Sequence, residues 1–223
     1  MNRPLYVAVE GPIGVGKTTL VRRLSDRLQA RLVLEVVEEN PFLARFYEDK
    51  ERYAFQTQLF FLMSRFKQQQ ELTQGDLFTP SVLADYHLLK DRIFARLTLK
   101  DDELALYERV YQSLELHILQ PDVLVYLHAP IELLQERIAR RGRPFEANFD
   151  TRYLADLCTH YQHYFAHYTR TPLLDVDTSD INYASDDGLL ARLEAAIIGL
   201  AKAEPDQPRM VRIERADQLN LPI

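Results

Sequence analysis

The sequence predicts an α/β fold in three layers, a five-stranded parallel sheet with helices packed on both faces. Three observations carry that prediction. At 223 residues the chain can bury one sizeable core and is too short for two ordinary domains. Short apolar, β-branched runs alternate along it with longer stretches of helical spacing, the pattern of parallel strands joined by helical crossovers. Of its seven glycines, Gly11, Gly14 and Gly16 crowd into the turn between the first run and the first helical stretch.

The first strand is Leu5-Tyr6-Val7-Ala8-Val9. A helix over 18–30 follows, with Leu20, Val21, Leu24 and Leu28 at helical intervals. Residues 30–37, holding Leu32, Val33, Leu34, Val36 and Val37, read as the second strand. From about 52 to 72 runs a long apolar and aromatic helix through Phe55, Leu59, Leu62 and Phe66. Ser81-Val82-Leu83-Ala84-Asp85 is a third, short strand, and helical spacing resumes over 87–97 and 101–119. Pro121 opens the fourth strand over 122–127, and Pro130 stands in the first turn of a further helix, where its fixed φ fits. Residues 172–177 supply the fifth strand and 187–203 the closing helix. No linker, repeat or low-complexity segment interrupts the series. We expect one domain over 1–203, with 204–223, proline-containing and of mixed charge, as a C-terminal tail.

Composition narrows the function. A chain 47% hydrophobic and 27% charged is globular and not mostly disordered. No apolar run approaches the roughly 18–20 residues that cross a bilayer, and Met1-Asn2-Arg3-Pro4 lacks a signal-peptide plan, so no membrane association is expected. The single cysteine, Cys158, cannot pair within the chain, which suits a reducing, cytoplasmic setting. A net charge of −6 argues against a nucleic-acid partner, whose phosphates need a basic surface, and leaves room for a small basic pocket.

The glycine cluster, Gly11-Pro12-Ile13-Gly14-Val15-Gly16-Lys17-Thr18-Thr19, matches G-x-x-x-x-G-K-[ST] between a strand and a helix. Glycines let such a loop curl so that backbone N–H groups of residues 13–18 face phosphate oxygens, and the helix N-terminus adds positive potential. Lys17 brings a mobile charge, and the Thr18 hydroxyl can ligate Mg²⁺. The chain therefore reads as a P-loop, NTPase-like fold that binds ATP or GTP. The loop does not fix the reaction.

Three features bear on the acceptor side. Glu35 sits at the carboxyl end of the second strand, where ligands of open parallel sheets collect; there it is either a general base or, like Glu38 and Glu39, a solvated acid. Gln58 and Arg65 lie two helical turns apart with Leu62 between them and Phe61 alongside. Spacing alone favours Gln58 exposed and Arg65 reaching to solvent over an amide and a guanidinium reading the edge of a base. Arg137, Arg140, Arg141 and Arg143 end a helix at a Gly–Pro turn, more positive charge than capping requires, which favours a lid over 137–150 that closes on a transferring phosphoryl group.

These residues resemble the deoxynucleoside kinase family, most closely its bacterial deoxyguanosine and deoxyadenosine kinase branch. The similarity covers about 6–180 and is most specific in the glycine loop, Glu38-Glu39-Asn40-Pro41-Phe42-Leu43, Phe46-Tyr47-Glu48-Asp49, Tyr53-Ala54-Phe55-Gln56-Thr57-Gln58 and Arg141-Gly142-Arg143. The resemblance implies a homodimer that moves the γ-phosphoryl of ATP to the 5′-hydroxyl of a deoxynucleoside in nucleotide salvage. It implies Glu35 as catalytic base, Gln58, Arg65 and Asp91 as base-recognition residues, and Tyr47 with Glu146 on the sugar 3′-hydroxyl. By the same resemblance Arg137, Arg141 and Arg143 contact ATP phosphates, and Asp85 joins Thr18 at the Mg²⁺ site. Asp177, Ser179 and Asp180 belong to the loop beneath the adenine.

One departure stands out. The family's acid–Arg–Ser motif reads Asp85-Tyr86-His87 here, and tyrosine cannot supply the missing charge. Arg92 or a lid arginine supplies it, or this branch does without. Two rivals remain: a nucleoside monophosphate kinase, which needs free cations in the acceptor site, and a nucleotide-switch NTPase, whose Asn-Lys-x-Asp signature is absent. His160, His163 and His167 stand at near-helical spacing by Cys158, which suits a structural or surface role better than a metal site.

Overall fold

The computed structural model describes residues 3–73, 81–146, 150–180, 186–204 and 209–213. Strand β1 (Tyr6–Glu10) is buried along its length, and alternation sends Val7 and Val9 to one face of the sheet and Tyr6 and Ala8 to the other. The sheet is completed by β2 (Arg31–Val33), β3 (Val82–Ala84), β4 (Val123–His128), β5 (Leu173–Asp177) and β6 (Met210–Ile213). All pairings are parallel, in the order β2-β3-β1-β4-β5-β6.

Helices α1 (Lys17–Leu28), α6 (Ile131–Arg141) and α8 (Asp187–Lys202) cover the Val7 and Val9 face, burying Leu24, Leu134 and Ile197. On the other face, α4 (Leu89–Thr98) and α7 (Thr151–Ala166) bury Leu89, Ile93, Tyr161 and Phe165. A third cluster is built from α2 (Leu43–Glu48), α3 (Lys50–Thr73) and α5 (Asp101–Glu115), with Phe46, Leu62 and Tyr107 at its centre. This is the predicted three-layer α/β plan, with α2 and α7 added to the elements that spacing names.

The strand count is corrected from five to six. Met210–Ile213 falls in the stretch read as a tail, yet β6 pairs with β5 and buries Ile213 in the main core. The second strand also ends early. After Val33 the Glu35 N–H donates to the Asp85 carboxylate, 2.7 Å, and the Leu34 carbonyl accepts from Gln68 Nε2, 3.3 Å. Side chains thus take over backbone groups that a longer ladder would have used, and the chain leaves the sheet with Glu35 beside the C-terminal ends of β1 and β3.

Candidate active site

The loop after β1 depends on two close approaches. Gly11 has φ +150°, and a Cβ there would lie 2.2 Å from the Leu127 carbonyl oxygen. Gly14 has φ +86°, and its Cβ would meet the Leu134 carbonyl oxygen at 2.8 Å and Ile138 Cγ1 at 2.9 Å. A side chain at either place would push β4 or α6 outward. Residues 14–19 line a cavity of about 640 Å³, into which the first turn of α1 brings N–H groups without intrahelical partners. Lys17 Nζ folds over the loop and donates to the carbonyls of Gly11, 2.7 Å, and Pro12, 3.1 Å. Burial, and then the neighbouring Lys90, bring its ammonium down to about 8, so an anion in the loop finds a cation that gains from being paired.

Asp85 ties this loop to the acceptor side. Its Oδ2 accepts from Thr18 Oγ1, 2.5 Å, and its Oδ1 from the Glu35 N–H, 2.7 Å. The Thr18 hydroxyl and the Asp85 carboxylate are hard oxygen donors on one point of the cavity wall, a donor set that fits Mg²⁺.

The Glu35 carboxylate accepts from Lys90 Nζ through both oxygens, each 2.9 Å, and from Arg65 through Nε, 3.0 Å, and Nη2. Burial alone would raise this carboxyl, but Lys90 and Arg65 outweigh it and hold Glu35 well below the usual carboxylate range. Arg65 also donates through Nη1 to Asp91, and its guanidinium lies 4.5 Å above the Phe61 ring. Burial pushes the Asp91 carboxyl up, against the pull of Arg65 and Lys90.

Gln58 is 2% exposed and Arg65 5% exposed, which overturns the solvent-facing reading that spacing favours. Both line the cavity, with Phe61 between them along α3. Among the described residues, Gln58 makes no side-chain hydrogen bond, so a ligand's polar edge would find its amide available.

Of the remaining predicted residues, Tyr47, Arg137, Arg141, Arg143 and Glu146 line the same cavity. The Tyr47 ring stacks on Phe145 at 5.9 Å and 17°, and burial, followed by Glu146, raises its hydroxyl. Glu146 accepts from Arg141 Nη2 at 2.5 Å and Nε at 3.2 Å, and Arg143 pairs with Glu38 at 2.9 Å. Arg137 is held by the Val15 carbonyl, 3.3 Å, and by both oxygens of Thr178, 3.0 Å each, so α6 clasps the phosphate loop to the turn after β5. In that turn Asp177 Oδ1 accepts from the Ser179 N–H, 2.9 Å, and its hydroxyl. Asp177, Ser179 and Asp180 do not line the cavity. The segment that the sequence reads as a lid, 137–150, includes residues 147–149, which lie outside the described residues.

Sequence reasoning misses two buried charges, Lys90 in the cavity wall and Glu10 behind the phosphate loop. Lys90 is 4% exposed, and Glu10 is fully buried at the end of β1, accepting from the N–H groups of Gly11, 3.2 Å, and His87, 2.6 Å, and from the Tyr161 hydroxyl, 3.2 Å. The available signal for Lys90 is a charged pair, Lys90-Asp91, enclosed by Leu88, Leu89, Ile93 and Phe94. Arg92, which the sequence offers with the lid arginines for the missing charge, pairs with Glu108 at 3.1 Å and stacks over Tyr111, outside the cavity wall.

Comparison with known proteins gives a consistent result. Residues 7–197 match the family described as deoxynucleoside kinase. The chain is 39% identical to the deoxyguanosine kinase of Bacillus subtilis over 163 residues, 73% of this chain and 79% of that one. It is 29% identical over 195 residues to the deoxyadenosine/deoxycytidine kinase of the same organism, 84% and 88% of the two chains. In fold it is similar to deoxyadenosine kinase from M. mycoides with bound dATP, with a TM-score of 0.76 at 24% identity, covering 86% of this chain and 99% of that chain.

Proposed function

Because the chain belongs to the deoxynucleoside kinase family and is a phosphotransferase, we propose that it moves the γ-phosphoryl of ATP to the 5′-hydroxyl of a purine deoxynucleoside, deoxyguanosine or deoxyadenosine, in nucleotide salvage. The observation that carries this reading is that the Glu35 carboxylate and the phosphate loop share one cavity, joined through Asp85. In the proposed step Glu35 takes the 5′-hydroxyl proton as the oxygen bonds to the γ-phosphorus and the bond to the β-phosphate oxygen breaks, releasing ADP. Lys17 and the first-turn N–H groups of α1 hold the triphosphate. Gln58, with Arg65 and Asp91 behind it, reads the base over Phe61, and Tyr47 with Glu146 holds the sugar. Thr18 and Asp85 would hold Mg²⁺, which when bound neutralises phosphate charge.

Arg141 and Arg143 are proposed to exchange Glu146 and Glu38 for ATP phosphates as residues 137–150 close, with Asp177, Ser179 and Asp180 beneath the adenine. The purine assignment rests on the deoxyguanosine kinase of Bacillus subtilis; the homodimer is proposed from the family resemblance alone, and the cytoplasmic setting from the chain's single cysteine. A monophosphate acceptor is disfavoured because Arg65 and Lys90, the cations of the acceptor wall, are already paired with Glu35 and Asp91.

The test is ADP release with ATP, Mg²⁺ and, in turn, deoxyguanosine, deoxyadenosine, deoxycytidine, thymidine and their monophosphates. Purine deoxynucleosides should be turned over fastest, and Glu35→Gln should lower kcat by about 10²–10⁴-fold with ATP binding retained. A pyrimidine preference would refute the purine assignment, and turnover of monophosphates alone would refute the nucleoside acceptor.

A further inference from the structure

We infer that Lys90 is the positioning residue of the transfer step: it fixes the Glu35 carboxylate beside the phosphate loop and supplies the positive charge that position 86 lacks. The inference rests on the reading of Glu35 as the base. Tyr86 is fully buried, and its hydroxyl is engaged with Gln68 Oε1 at 2.7 Å. Lys90 stands in the first turn of α4, four residues beyond position 86, which lies in the non-helical chain between β3 and that helix. From there it places Nζ 2.9 Å from both Glu35 oxygens.

The alternatives for this role are committed elsewhere. Arg92 is taken by Glu108, Arg137 by Val15 and Thr178, Arg141 by Glu146 and Arg143 by Glu38. Arg65 does reach Glu35, but Asp91 shares it, so its placement answers to two carboxylates. Among the described residues Lys90 pairs with both oxygens of Glu35 and with no other carboxylate, its ammonium 5.5 Å over the Phe94 ring. A contact to both oxygens fixes the rotation of the carboxylate, which decides whether an oxygen faces an incoming hydroxyl. A buried ammonium is costly without its anion, so the two side chains hold each other in place.

The experiment measures kcat and both KM values for Lys90→Met, Lys90→Arg, Glu35→Gln and the Glu35→Gln/Lys90→Met double variant, with Arg92→Gln as control. Lys90→Met should lower kcat roughly 10–10²-fold, with the KM for ATP close to that of the unmodified enzyme. Lys90→Arg should recover part of the loss, and the double variant should be no slower than Glu35→Gln alone, because residues acting as a unit are not additive. Arg92→Gln should be unimpaired. A Lys90→Met enzyme with an unchanged kcat, or losses that multiply in the double variant, would overturn the inference. If Lys90→Met fails to fold, the double variant, in which no buried charge is left unpaired in that contact, and Lys90→Arg decide it by the same criteria. An unimpaired Glu35→Gln enzyme would instead overturn the base assignment itself.

Discussion

Among the described residues the Gln58 side chain makes no hydrogen bond, and it lines the cavity, where a ligand's polar edge can pair with its amide. Replacing Gln58 with leucine should weaken deoxynucleoside recognition by about 1–3 kcal/mol, read as a KM for the deoxynucleoside raised about 5–150-fold while the KM for ATP holds. A parallel rise in both would mean that Gln58 shapes the cavity without reading the base. The glycine loop and Glu35 were legible as types in a pattern, since a strand, a turn and a helix fix where their backbone goes. Gln58 and Arg65 were legible as a pair but not as buried, because their burial is set by α4 and the cavity wall, distant in sequence. Lys90 lies within a helical pattern where a lysine ordinarily faces water, and only packing against α3 and the chain after β2 encloses it.

At the scale of elements, the strands that sequence places best are β1 and β4, buried at nearly every position and therefore continuous apolar runs. β6 has no such signature: Met210 and Arg212 are exposed, Val211 is half-buried, and Ile213 alone is fully enclosed. Its place in the sheet is fixed by pairing with β5 and by Arg212, whose Nε donates to Asp175 at 2.9 Å. Ile213→Ala should cost about 2–4 kcal/mol in urea unfolding and Met210→Ala less than about 0.5 kcal/mol. Equal, negligible effects would show that β6 contributes nothing to the fold. The apolar run over 32–37 misleads for a different reason. It has the composition of a strand, but Gln68 and Asp85 claim its backbone groups, a competition that no local pattern reports.

For the whole molecule, the alternation of strands and helices was enough to give the layered plan, because each β-α unit must bury its apolar face against the same sheet. Global unfolding has a built-in reporter in Cys158. Its thiol, on the buried face of α7, is pushed up to about 11 by burial, so at pH 8 the thiolate fraction is on the order of 10⁻³. Iodoacetamide should label the native protein far more slowly than a free thiol and label it promptly in denaturing urea. Rapid labelling of the native state would show that α7 opens locally.

Both rims of the sheet are short strands, three residues in β2 and four in β6. An enzyme cut short after α8 would bare β5, whose Leu173-Leu174-Asp175-Val176-Asp177 is largely apolar and already straight. Such a row of free amides and carbonyls recruits the matching row of another molecule, so a truncated enzyme should be lost first to self-association and only second to lower stability.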